Sequence, residues 1–277
     1  MVKLDRRSFI QSTLLTGSGL LLNPRAAWSQ FGTASKSLLG VHPFIHDHPD
    51  SVFIMRTGVD QKTNAAAIKE VGLGFGRSVF GLTDDPDRGV PLTHRIVLKP
   101  NLTCRYSWDD RYTLEGTMGI VTDVNFTEGV IESIKELSID SSHIHIREVN
   151  CPDDLEDGGY NAMALRTGAD VQCIDTPYTG LNPEQIVWSD IENGTYFKRL
   201  PHIWPVNAPD TWLINIAKFK AHAMGLTLCA KNLQGCIVKN YQQHCGLWGT
   251  DLDVDPGDVH SDAFSVIQTN CNRHNYE

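Results

Sequence analysis

Thr211–Ile216 reads TWLINI, an uncharged run with apolar side chains at Trp212, Leu213, Ile214 and Ile216. A short apolar run of this length reads as a strand covered on both faces, the habit of parallel sheets. The chain then turns polar at once, as Ala217-Lys218-Phe219-Lys220-Ala221-His222. Arg95–Leu98 (RIVL) has the same form and a similar exit, Lys99-Pro100-Asn101. Outward from this pair, Ser51–Arg56 (SVFIMR), Ser142–Val149 (SHIHIREV) and Asp170–Ile174 read as further strands. Thr63–Phe80 carries apolar residues at helical spacing, although Gly72, Gly74 and Gly76 lower its helix propensity. A helix opening at Thr122 or Asp123 puts Phe126, Val130, Ile131, Ile134 and Leu137 on one face. Leu155–Thr167, a stretch from about Met224 to Val238, and Val259–Thr269 read as helices; Asn182–Pro201 shows no period. Strands alternating with helices predict an α/β fold, a mostly parallel sheet with helices on both faces, in a single domain over residues 51–277. Residues 30–50 read as an irregular N-terminal segment.

The chain has 277 residues, 41% hydrophobic and 21% charged, the balance of a globular protein and not of a disordered chain. A formal charge of −9 excludes nonspecific nucleic-acid binding, which needs a broad excess of Lys and Arg. Beyond the N-terminus no run reaches the ~18 apolar residues of a membrane span. The first 29 residues read as a twin-arginine export signal: Arg6-Arg7, a short apolar stretch from Leu14 to Leu22, Arg25, then the small-residue site Ala27-Trp28-Ser29. That predicts engagement of the twin-arginine translocation machinery and a periplasmic or other extracytoplasmic destination. Export of folded proteins by that route favours a bound cofactor without naming one. Without Lys3, Arg6, Arg7, Arg25 and Asp5 the chain keeps 20 basic and 32 acidic residues, a net −12. Seven cysteines (Cys104, Cys151, Cys173, Cys229, Cys236, Cys245 and Cys271) cannot all pair, and no CxxC occurs.

Charge is distributed unevenly. From Asp210 to Asp251 the forty intervening residues contain no Asp or Glu, while Lys218, Lys220, Lys231, Lys239, His222 and His244 all fall there. A positive island in an acidic chain is what the capture of a carboxylate or phosphate requires. In open α/β sheets ligands sit outside the carboxyl ends of the strands. If the two quoted strands are parallel neighbours, Lys99 and Asn101 meet Lys218, Lys220 and His222 in one crevice. A helix entered through Gly225-Leu226-Thr227 would add its positive end, with Lys231 one turn past Thr227 and Asn232 after it.

Lys99-Pro100-Asn101 after a strand, Thr122 opening a helix, and Lys218-x-Lys220-x-His222 followed by Thr227-x-x-x-Lys231-Asn232-x-x-Gly235 resemble the family called domain of unknown function 362. The resemblance runs from about Val52 to Val238. Ala221 stands where the family pattern has Thr. The resemblance implies an α/β domain, sometimes joined to an iron–sulfur module that this chain lacks, and a chain that continues past Glu277, so that this sequence reads as a fragment. It names no activity.

Two roles are open to the lysines. A lysine crowded by cations has a depressed pKa and can act as a base or imine-forming nucleophile, with Lys220 the preferred candidate, His222 a proton carrier and Lys231 beside them. Or all of them, with Lys99, Asn101, Thr122, Lys218, Thr227, Asn232 and Gly235, only hold an anion. Two further readings compete: a metal- or iron–sulfur-associated redox protein, and a noncatalytic periplasmic anion-binding component. Cys229 and Cys236 with His222 and His244 are the candidate soft ligands, but seven residues of helix separate two sulfurs by about 10 Å. A break at Gly235 would relax that. His42, His46, Asp47 and His48 form a second His-rich set, and Trp108–Gly119 is a polar loop in which Asp110 or Glu115 could supply an acid. No GxSxG, P-loop or strand–helix GxGxxG supports a hydrolase, kinase-type or dinucleotide reading.

Overall fold

The computed structural model of the chain describes residues 37–102, 121–149, 152–194, 197–222, 225–227, 229–241 and 254–260. The segment read as an export signal, the Trp108–Gly119 loop, nearly all of the helix read at Val259–Thr269, His244, Cys104, Cys151, Cys245 and Cys271 lie outside these residues.

A small antiparallel sheet comes first. β1 (Leu38–Val41) pairs with both β2 (Phe80–Thr83) and β3 (Gly89–Pro91). The span read as irregular therefore contains a strand, followed by the single turn α1 (Pro43–His46). SVFIMR is no strand: it has no sheet partner, and Val52 and Ile54 are 81% and 90% exposed. Its apolar composition was strand-like, but it lies on the surface.

Next comes α2 (Ala65–Val79), capped by the Asn64 side chain, which accepts from the amide of Ala67. Two of the three glycines that weakened the helical reading, Gly72 and Gly76, are packed tightly against the helix that follows. A Cβ at Gly72 would lie 2.1 Å from the Phe126 carbonyl oxygen, and one at Gly129 would lie 2.1 Å from that of Lys69. Both positions belong to the seam between α2 and α3 (Val124–Lys135), where the two backbones touch. Asp123 caps α3 as its spacing predicted, accepting from the amides of Asn125 and Phe126.

The central sheet has four strands in the order β6-β5-β4-β9, all parallel: β4 (Arg95–Pro100), β5 (Ile144–Val149), β6 (Asp170–Ile174) and β9 (Thr211–Ile216). The fold is α/β, as the alternation predicted. Between β5 and β6 the chain forms α4 (Pro152–Asp157) and α5 (Tyr160–Thr167), broken at Gly158-Gly159 where Gly159 takes φ +77°. One face of the sheet carries Ile96, Leu98, Ile144 and Ile146, packed on Val130, Ile131 and Ile134 of α3 and Met163 of α5.

On the other face the described residues supply a different cover from the predicted helices. Val97 and Leu213 pack there against Val206 and Cys236, and Val149 packs against Ile203 and Val238. The cover is a β-hairpin, β7 (Ile186–Asp190) with β8 (Arg199–Ile203), together with the turn after β8 and a 3₁₀ turn at Gln234–Cys236. Arg147, fully buried on this face, makes such a thin cover workable. Its Nε donates to the Trp204 carbonyl at 2.8 Å, Nη1 to the Ile146 and Asp170 carbonyls at 3.0 Å each, and Nη2 to the Asp170 carboxylate at 2.6 Å. The side-chain bonds from His145 and Arg147 hold the Asp170 carboxyl well below the usual carboxylate range.

Candidate functional site

The direction of the sheet reverses at β4. β5 and β6 are added to one side of it, and the chain returns through the hairpin to place β9 on the other. That makes the gap between the carboxyl ends of β4 and β9 a topological switch point, where open α/β sheets leave a crevice. Lys99 lies beside Asn215 and Pro100 beside Ile216 in the ladder, so the two quoted strands are parallel neighbours. Thr122 staples their ends: its hydroxyl accepts from the Asn101 amide at 2.9 Å and donates to the Ile216 carbonyl at 2.7 Å. Tyr160 in turn donates to the Thr122 carbonyl.

Lys99 is turned into the interior. Its side chain is 1% exposed and its ammonium has three internal acceptors: a Glu148 carboxylate oxygen at 2.6 Å, the Pro100 carbonyl at 2.5 Å and the Asn232 side-chain oxygen at 3.3 Å. An ammonium has three protons, so none is left over. Asn232 closes the arrangement, donating to the Lys99 carbonyl and to the side-chain oxygen of Asn215. Burial pushes the Glu148 carboxyl up, against the pull of Lys99 and of the Val149 and Leu102 amides that it accepts from. A Cβ on Gly235 would lie 2.3 Å from a Glu148 oxygen and 2.7 Å from Lys99 Cε. Gly235 is therefore the lid over a buried ion pair. Lys99, Asn232 and Gly235, read from sequence as ligand contacts, are internal supports of the crevice floor.

The Met224–Val238 helix is also replaced. Lys220–His222 forms β10 and Gly225–Thr227 forms β11, an antiparallel hairpin with Lys220 opposite Thr227 and His222 opposite Gly225. The following helix, α6 (Cys229–Leu233), has five residues and gives way to the 3₁₀ turn. Gly225–Thr227 is thus a strand, and the helix expected after it begins at Cys229 and is much shorter than the sequence suggested. Lys231 sits half-buried on α6 beside Asn232.

Lys218 and Lys220 follow directly on the end of β9. Lys220 donates to the Asn101 side-chain oxygen at 3.1 Å, which joins the two strand exits as the sequence suggested. Lys218 is half-buried two residues beyond Ile216 and has no hydrogen bond or ion pair among the described residues. Burial lowers its pKa; Asp123 opposes that shift and Lys62 adds to it. Lys239, in contrast, is paired with Asp175 at 2.6 Å.

Sequence reasoning missed Glu148 and Asn215. The signal was present in SHIHIREV, where a carboxylate ends a strand that is buried along its whole length and must find a cation. Among the described residues no group of three His, Cys, Asp or Glu is placed to hold a metal. Cys229 is exposed, whereas Cys236 is buried and its thiol is pushed up to about 12 by that burial. No helix among the described residues is long and apolar enough to cross a membrane.

Residues 96–265 match the family model described as Domain of unknown function (DUF362), a span that begins in β4 and takes in the Lys99–Glu148 pair, the hairpin and Gly235. No curated protein and no solved structure matches the chain. With the matched span covering more than half of its length, the chain belongs to the domain of unknown function 362 family.

Proposed function

We propose that the protein binds a small anionic ligand, a carboxylate or phosphate, in the crevice between the carboxyl ends of β4 and β9, and that it does so outside the cytoplasm after twin-arginine export. The observation that carries this reading is Lys218. It is a half-buried ammonium with no hydrogen-bonded or ion-paired partner among the described residues, at the switch point of a sheet, in a chain of net charge −9. Leaving a cation partly desolvated and unpaired costs stability, and an arriving anion recovers that cost. Lys220 follows two residues after Lys218 in the chain and donates to the Asn101 side chain at the end of β4. His222 and Lys231 are the candidates that the sequence offers for proton transfer, should the bound ligand also be transformed.

The test is a melting titration with phosphate and sulfate against chloride at equal ionic strength. At a hundredfold excess over Kd, mass action adds about 2.7 kcal/mol, which for a domain of this size raises the midpoint by about 5–10 °C. The rise saturates, and Lys218→Gln removes it. A rise that does not saturate and persists in Lys218→Gln is a general salt effect and refutes the reading.

A further inference from the structure

SVFIMR has the composition of a strand but lies on the surface, far in sequence from the crevice. Of the eight large apolar side chains exposed among the described residues, five (Phe44, Val52, Phe53, Ile54 and Met55) belong to this one stretch. Exposure alternates along it, 81%, 43%, 90% and 42% from Val52 to Met55, the period of two that marks an extended chain. Phe53 leans back on the Phe44 ring, with centroids 5.8 Å apart, while Val52 and Ile54 face outward. From Val52 to Asp60 no backbone amide or carbonyl is hydrogen-bonded among the described residues. An apolar extended chain with an open main chain is the state of an unprotected sheet edge.

The charges at its ends identify the partner. Asp50, in the turn that enters the segment, and Arg56 lie three residues to either side of Phe53. Both are exposed, and neither has an ion pair among the described residues. We infer that Ser51–Met55, flanked by Asp50 and Arg56, pairs antiparallel with the same segment of a second copy about a two-fold axis at Phe53. In that register Val52 of one copy lies opposite Ile54 of the other and Asp50 opposite Arg56, and the two-fold axis forms each pair twice. Opposite charges set across from one another stabilise such a pairing, and like charges oppose it. A parallel pairing in register would set Asp50 against Asp50 and Arg56 against Arg56. The acids Asp47, Asp50 and Asp60 on the same stretch disfavour an anionic lipid surface as the occupant. Seven residues a side is well short of the roughly 20–30 of a standard interface, so the dimer is weak, with a Kd on the order of 100 µM.

The experiment is sedimentation equilibrium of the full chain from about 10 µM to about 1 mM, a range that brackets such a Kd. Wild type is expected to pass from monomer to dimer across it. Ile54→Lys, at a fully accessible side chain, keeps the wild-type melting midpoint and stays monomeric. Asp50→Arg and Arg56→Asp each weaken self-association by about tenfold or more, because both symmetric pairs become like-charged. Mixed one to one, these two variants form a heterodimer about as tight as the wild-type dimer, since opposite charges then face each other at both ends. A chain that is monomeric throughout overturns the inference, and binding of that monomer to phosphatidylcholine vesicles would give the face to a lipid surface instead. A dimer indifferent to Ile54→Lys, or charge variants that fail to rescue one another, overturns it as well.

Discussion

Glu148→Gln asks whether Lys99 belongs to the interior or to the ligand. The two side chains are 1% and 4% exposed and their charged atoms are 2.6 Å apart. Replacing the carboxylate by an amide keeps the shape but leaves an ammonium in the protein interior with no counter-charge. Breaking a buried pair from one side costs about 3–5 kcal/mol. The Leu102 and Val149 amides also lose a charged acceptor, which places the variant toward the upper part of that range. At about 2–4 °C per kcal/mol for a domain of this size, the midpoint falls by roughly 10 °C or more. Urea and thermal melts measure it, and the double variant Lys99→Met/Glu148→Leu should recover most of the loss, because no uncompensated charge is then buried. A Glu148→Gln protein within about 0.5 kcal/mol of wild type would show that water reaches the Lys99 ammonium, and would return Lys99 to the list of ligand contacts.

Glycine substitutions in the α2–α3 pair should go in opposite directions. Gly129→Ala forces a Cβ to within 2.1 Å of the Lys69 carbonyl oxygen and 2.5 Å of the Leu73 nitrogen, and should cost about 1–3 kcal/mol or more, whereas Gly74→Ala meets nothing within 4 Å and should gain about 0.5–1 kcal/mol in urea melts. The Asp170 carboxyl, held below its ordinary value first by His145 and then by Arg147, contributes stability that is present above about pH 4 and lost as pH falls toward its folded value. Asp170→Asn should therefore be less stable than wild type at pH 7, with the difference shrinking in melts taken from pH 4 downward; a gap that stays constant would show that the carboxylate charge is not what matters.

The parts of the fold that sequence revealed are those where one local rule dominates. TWLINI is mostly apolar because β9 packs Trp212, Ile214 and Ile216 on one face of the sheet and Leu213 on the other, and Asp123 announces α3 because an N-cap needs an acceptor at that point. The β7–β8 hairpin went unread because its strands have no clean alternation: all but Asp190, Pro201 and Ile203 of their residues are half-buried, and Pro201 lies within β8. SVFIMR misled for the opposite reason, since its composition suits a sheet that its surroundings do not offer. The Gly72 and Gly129 contacts show a third kind of difficulty. Helix propensity counts a glycine as a local cost, and only the neighbouring helix reveals what its missing side chain is for.

The candidate site illustrates the same distinction with charges. An acid-free stretch of forty residues is a fact about the chain, but the field at the crevice depends on what the fold brings there. β5 delivers Glu148 to Lys99, and the segment after β6 delivers Asp175 to Lys239, so two of the five lysines are neutralised by acids distant in sequence. Both acids follow from the parallel order of the sheet: adjacent strands run the same way, and their carboxyl ends share one edge. The same geometry that gathers cations for a ligand therefore also gathers anions against them. Among the described residues Lys218 makes no hydrogen bond or ion pair, and it leaves β9 on the side where those residues supply no further parallel strand to deliver a carboxylate. The Lys-Pro-Asn turn and the Asn-x-x-Gly run meet inside the fold instead, where Lys99 bonds to Asn232 and lies against Gly235.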